Sequence, residues 1–191
     1  MQVAKVVQLA IASATTSLVF GHATSAEMAA PSKEHIKRGE YLVNFGGCND
    51  CHTPKLMSDK GPQPDPARLL SGHPANARIP PLPPAGLIGP NPDQWATISN
   101  NEFTVWVGPW GTSYAANLTP DVATGLGGWT ADQFVKTMRT GKHLGVGRPL
   151  LPPMPWFDIA VLNDRDLKAM FAYLKSIKPI QNQVPPPVPP K

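Results

Sequence analysis

Cysteine is nearly absent. The 191-residue chain carries two, both inside one five-residue stretch, so no disulfide framework holds the fold. Charge is thin as well, at 16% of residues with a formal excess of +4. The lysines and arginines are scattered rather than gathered into a stripe, which argues against nucleic acid as a partner. A weakly basic face for an acidic redox partner and an ordinary solvated surface both fit this charge. Long apolar runs are missing too. The one candidate, Val6 to Gly21, is diluted by Gln8, Ser13, Thr15, Thr16 and Ser17 and is short for a membrane span.

Proline and glycine are plentiful, at 24 and 16 residues in a chain only 41% apolar. That composition implies one domain with few regular elements and long irregular stretches between them. At the N-terminus, Lys5 precedes the apolar run and Thr24-Ser25-Ala26 offers small residues for cleavage. Residues 1–26 are therefore expected to be a secretory signal peptide, with an uncleaved anchor as the alternative.

The stretch that carries chemistry is Cys48-Asn49-Asp50-Cys51-His52. Two thiols two residues apart, with a histidine directly after the second, are the spacing of a c-type haem attachment site. The sulfurs reach two vinyl groups on one edge of a porphyrin and become thioethers; the next residue is then carried under the iron as its proximal nitrogen ligand. Zinc and dithiol redox chemistry also use paired cysteines. Zinc would want a second ligand pair, which the sequence lacks, and a dithiol oxidoreductase would want a βαβ context. Covalent attachment of this kind takes place outside the bacterial cytoplasm, so the motif and the expected signal agree on a periplasmic location.

Three helices are signalled. Ser32 is an N-cap for one running to about Asn44, with Ile36, Leu42, Val43, Phe45 and Tyr41 as its larger apolar positions. Gly39 in its middle predicts close approach of another helix. Thr130-Ala131-Asp132-Gln133 is a capping-box pattern, Phe134, Val135 and Met138 share a face, and Gly141 is a stop. Asn163 caps a last helix from about Asp164 to Ile177, whose stripe is Leu167, Met170, Phe171, Leu174 and Ile177. His143 is expected to be exposed.

Between these helices proline punctuates the chain. Residues 53 to about 100 read as an irregular, insertion-like loop containing Met57 and His73, which could in principle ligate iron but are not the expected ligands. Asn101 to Gly111 alternates weakly and then reads Trp106-Val107-Gly108-Pro109-Trp110-Gly111. Strand pairing with a turn is one reading; indoles packing on the porphyrin and donating N–H to a propionate is the other. In Leu150-Leu151-Pro152-Pro153-Met154-Pro155 a methionine is locked between prolines. Such a loop can hold a thioether sulfur at a fixed point, as a second axial ligand requires. The proline-rich tail from Pro179 is expected to be a frayed end or a spacer.

An N-terminal helix leading into CxxCH, a methionine-bearing proline loop and a C-terminal amphipathic helix together resemble the class I monohaem c-type cytochromes. Asn117 to Gly141 and Pro152 to Lys178 are similar to bacterial periplasmic cytochromes and to cytochrome c domains of dehydrogenase subunits. The resemblance covers Ser32 to Pro179. It implies a mainly α fold of three to four helices around one covalent haem c, over residues 27–180, with a tail at 181–191. It also implies that the first and last helices cross, with Gly39 and Tyr41 against Leu167, Phe171 and Leu174, and that His52 and Met154 are the axial ligands. The chain departs from the compact pattern in the roughly hundred residues between His52 and Met154. With only one CxxCH it cannot be a complete multihaem subunit.

The implied role is one-electron transfer rather than catalysis. The expected partners are a dehydrogenase donor and a cytochrome or oxidase acceptor, engaged transiently. If Met154 does not ligate, five-coordinate iron could instead bind a gas or peroxide, as in a haem sensor or haem enzyme.

Overall fold

The structure, a computed structural model, describes residues 30–190; the expected signal peptide lies outside the described residues. Five α-helices and five short strands are present among them. Three helices are long: α1 (Lys33–Phe45), α3 (Ala131–Thr140) and α5 (Asp164–Ser176). Two are short, α2 (Cys48–His52) and α4 (Trp156–Ile159).

Their ends follow from side chains that satisfy free backbone N–H groups. Ser32 accepts from the His35 amide, and Asn163 from the Asp166 amide. Thr130 and Gln133 cap each other's backbone in a full capping box. Gly141 ends α3 in the left-handed region, where a glycine carries no Cβ penalty.

The apolar core lies between these helices. Leu42 and Val43 of α1, Phe134 and Met138 of α3, and Leu167, Met170, Phe171 and Leu174 of α5 are buried together with Leu70 and Leu126. The Phe134 and Phe171 rings sit 5.5 Å apart at a tilt. The broadest helix contact is the crossing of α1 on α5. Gly39 permits it, because a methyl group there would overlap the Ala169 carbonyl oxygen. Across the same crossing, both carboxylate oxygens of Asp166 accept from the Arg38 guanidinium, at 2.8 and 3.0 Å.

One residue implied for this face lies elsewhere. Tyr41 is exposed, and so is Phe45, the two rings stacking with centroids 5.8 Å apart. They sit one turn apart on the outer side of α1, so the burial stripe is narrower than its apolar content.

The proline-rich side holds more order than expected. β1 (Lys55–Ser58) and β2 (Gly61–Pro64) form an antiparallel hairpin inside the stretch read as irregular. Pro62 and Pro64 are tolerated because a two-stranded ribbon is all edge. β3 (Ile98–Ser99), β4 (Val105–Gly108) and β5 (Gly111–Tyr114) make a second antiparallel sheet in that order. The alternation at 103–107 therefore leads into a strand, and Pro109-Trp110 is its turn. His143 is half-buried rather than exposed, with its ring edge-on to Trp129.

The tail from Pro179 is not frayed. The Asn182 side chain donates to the Ser71 and His73 carbonyls at 2.7 and 2.9 Å and accepts from the Ala75 amide at 2.9 Å. Asn117 donates to the Ile180 carbonyl at 2.8 Å. Val188 then exchanges two backbone hydrogen bonds with Thr112, extending the outer edge of β5. Composition favoured an unpaired polyproline segment; two asparagines and one strand edge overrule it. No helix among the described residues is long and apolar enough to cross a membrane.

Candidate functional site

The Cys48–His52 turn starts from Gly47, whose φ of 65° lets the chain leave α1 and re-enter a helix at once. One helical turn puts both thiols and the imidazole on a single short element. The thiols are not joined to one another. Burial pushes the Cys48 thiol up to about 11 and raises that of Cys51 as well. A dithiol redox site needs at least one acidified thiol, so these environments disfavour that alternative. Among the described residues no group of three or more His, Cys, Asp and Glu side chains is gathered as a structural zinc would require.

His52 is buried, and its Nδ1 lies 2.7 Å from the Ala116 carbonyl oxygen. Burial lowers its proton affinity and favours the neutral ring. A neutral imidazole with Nδ1–H donating to a carbonyl keeps its lone pair on Nε2, the arrangement of a metal-ligating histidine. The rest of the turn is equally tied down. Gly72 N–H donates to the His52 carbonyl at 2.8 Å, while the Thr53 hydroxyl donates to Asn49 Oδ1 at 2.7 Å and accepts from the Leu70 amide.

Met154 is half-buried and packs against the same apolar cluster as Cys48. Its loop is braced from the sheet. Trp110 Nε1–H donates to the Ser113 hydroxyl at 3.2 Å, which donates onward to the Pro152 carbonyl at 2.7 Å. Trp106 lies elsewhere: with Cys51, Asp50, Lys55 and Phe103 it lines an open cavity of about 370 Å³, and its Nε1–H donates to the Phe103 carbonyl. Both indole N–H groups are thus engaged within the protein. Met57 stands exposed on the first hairpin. His73 is buried beside Thr104 and Tyr114, its Nδ1 3.0 Å from the Thr104 hydroxyl.

The donor set suits an iron porphyrin. It offers one neutral imidazole, one thioether, two unpaired thiols on a fixed turn, and an apolar flank that Cys48 and Met154 share. Sequence reasoning missed the parts that orient these groups. Ala116 holds His52 through a backbone carbonyl that has no sequence signature. Ser113 lies in a strand that the sequence did not signal.

No protein-family profile matches the chain. Individual proteins do. It is 35% identical over 138 residues to the gluconate 2-dehydrogenase cytochrome c subunit of Pantoea cypripedii, covering 72% of this chain and 22% of that protein. To the alcohol dehydrogenase (quinone) cytochrome c subunit of Gluconobacter oxydans it is 30% identical over 183 residues, 93% of this chain and 29% of that one. The fructose dehydrogenase cytochrome subunit of Gluconobacter japonicus matches 78 residues at 36% identity, 40% of this chain and 16% of that protein. The chain thus spans less than a third of the length of each of these relatives. It is a homologue of the c-type cytochrome subunits of dehydrogenases.

Proposed function

We propose that the chain is a periplasmic one-electron carrier that holds a single covalent haem c and receives electrons from a dehydrogenase. The observation that carries this is the buried His52, with Nδ1 bonded to Ala116 on the turn that also presents Cys48 and Cys51. Residues 1–26 are its export signal, and 27–180 its cytochrome domain, onto which the tail folds back.

In this reading Cys48 and Cys51 would tether the group, and His52 Nε2 and Met154 Sδ would hold its iron. A haem so held supplies reversible one-electron exchange. The protein's part is to keep the barrier to that exchange low and to keep substrate away. His52 is restrained through Ala116, and the Met154 loop through Pro152, Ser113 and Trp110. A shell braced on both sides moves little when the charge changes, and a thioether ligand favours the reduced form. In this role the chain would take one electron from a dehydrogenase and pass it to a cytochrome or terminal oxidase, with no bond to a substrate made or broken.

The test is spectroscopic. Absorption bands and a tetrapyrrole mass that survive acid-acetone extraction are expected on the Cys48–Cys51 peptide. Replacing Met154→Ala should abolish the weak near-infrared sulfur-to-iron band and open the site to added imidazole. If Met154→Ala leaves that band intact, the sulfur ligand is another residue. If the parent already binds gases rapidly, the sensor or haem-enzyme reading takes its place.

A further inference from the structure

β1 is inside out. Lys55 is buried while Leu56, Met57 and Ser58 beside it are exposed. Burying an ammonium costs free energy unless its donors are met, so something at this position requires it. The requirement lies in the attachment turn. α2 is stopped at once by Pro54, which has no N–H to give the Asp50 carbonyl four residues back. Lys55 Nζ fills the gap. It donates to the carbonyl of Asn49 at 3.0 Å, to that of Asp50 at 2.9 Å, and to that of Thr53. All three ammonium donors are used, and each acceptor is backbone at the negative end of the turn that carries Cys51 and His52.

We infer that Lys55 is a positioning residue for electron transfer: it closes the attachment turn and places an ammonium against the element that would carry the haem, favouring the reduced form. The inference rests on the haem reading above. Lys55 shares the wall of the cavity beside Cys51. The carboxylates that oppose it are Asp50 on the turn and Glu102 ahead of β4. Asp50 is exposed and screened by solvent, whereas Glu102 is partly buried with its Oε2 unpartnered.

The experiment poises the exported haem-loaded protein against a redox dye and reads the reduction equilibrium, alongside the absorption spectrum. In Lys55→Gln the equilibrium constant for reduction should fall about tenfold, the scale of one charge acting across a protein interior. Lys55→Arg should stay within about twofold of the parent, and Glu102→Gln should move the equilibrium the opposite way. Coordination bands unchanged in all three would separate a charge effect from a rearranged site. An unshifted Lys55→Gln overturns the inference, as does an equal fall in Lys55→Gln and Lys55→Arg. If Lys55→Gln does not accumulate, an unshifted Glu102→Gln overturns it instead. A parent that carries no covalent tetrapyrrole overturns the underlying haem reading before any variant is compared.

Discussion

The helical half and the proline-rich half of this molecule are held together by different physics. Around α1, α3 and α5, ten buried apolar side chains interlock, and any one of them is backed by several neighbours. Around the two hairpins and the tail, single polar side chains tie backbone to backbone. Asn182 bonds three peptide groups from 71 to 75, and Asn117 reaches Ile180. Burial is distributed and additive, whereas these ties are few and local. The residues that could hold a cofactor draw on both halves: Cys48 and Met154 border the apolar cluster, while His52 is oriented by the carbonyl of Ala116.

Substitutions can break or sharpen that contrast. The largest loss should come from the helical half. Leu174→Ala removes a side chain with 2% of its surface exposed and should cost about 3 to 4 kcal/mol in urea unfolding, since the crossing of α1 on α5 cannot collapse into the void. A cost under about 1 kcal/mol would mean that the cluster is not the main support.

Next is Asn182→Ala, which orphans three backbone groups at once and should cost about 2 kcal/mol. Its signature should also be local. Hydrogen exchange at the Thr112 and Val188 amides should quicken while amides of α5 stay protected. Uniform loosening of both halves would erase the distinction.

The smallest effect is electrostatic. The Arg38 guanidinium holds the Asp166 carboxyl below the usual carboxylate range, aided by Asn163. A depressed folded value means that the contribution is complete above the ordinary carboxylate pKa of about 3.9 and fades as pH falls through the folded value. Thermal melting should therefore drop below about pH 4, and Asp166→Asn should flatten that part of the profile. Because Arg38 is half exposed, the change should also shrink in high salt.

The same contrast explains what could be read in advance. Helix ends at Ser32, Thr130, Gly141 and Asn163 rest on side chains next to the groups they satisfy, so a linear sequence displays them. The attachment turn is legible for the same reason, all its chemistry lying within five residues. Gly39 was legible as a close approach, although which residues met it was not: Ala169 and Tyr173 do, and Tyr41 faces away.

Long-range polar ties leave no such trace. Nothing in the sequence around Asn182 announces that its amide spans three peptide groups more than a hundred residues earlier. Nor does the sequence single out Lys55, since a lysine beside leucine and methionine on a short strand normally faces water.

The pairing of Val188 with Thr112 bears on how the molecule matures. Until residue 188 has emerged, β5 presents a bare strand edge, open to pairing with another copy of the chain. The motif at 48–52, by contrast, is available almost from the start. A chain cut short of residue 188 would therefore keep its cysteine-bearing turn but leave that edge of β5 unpaired.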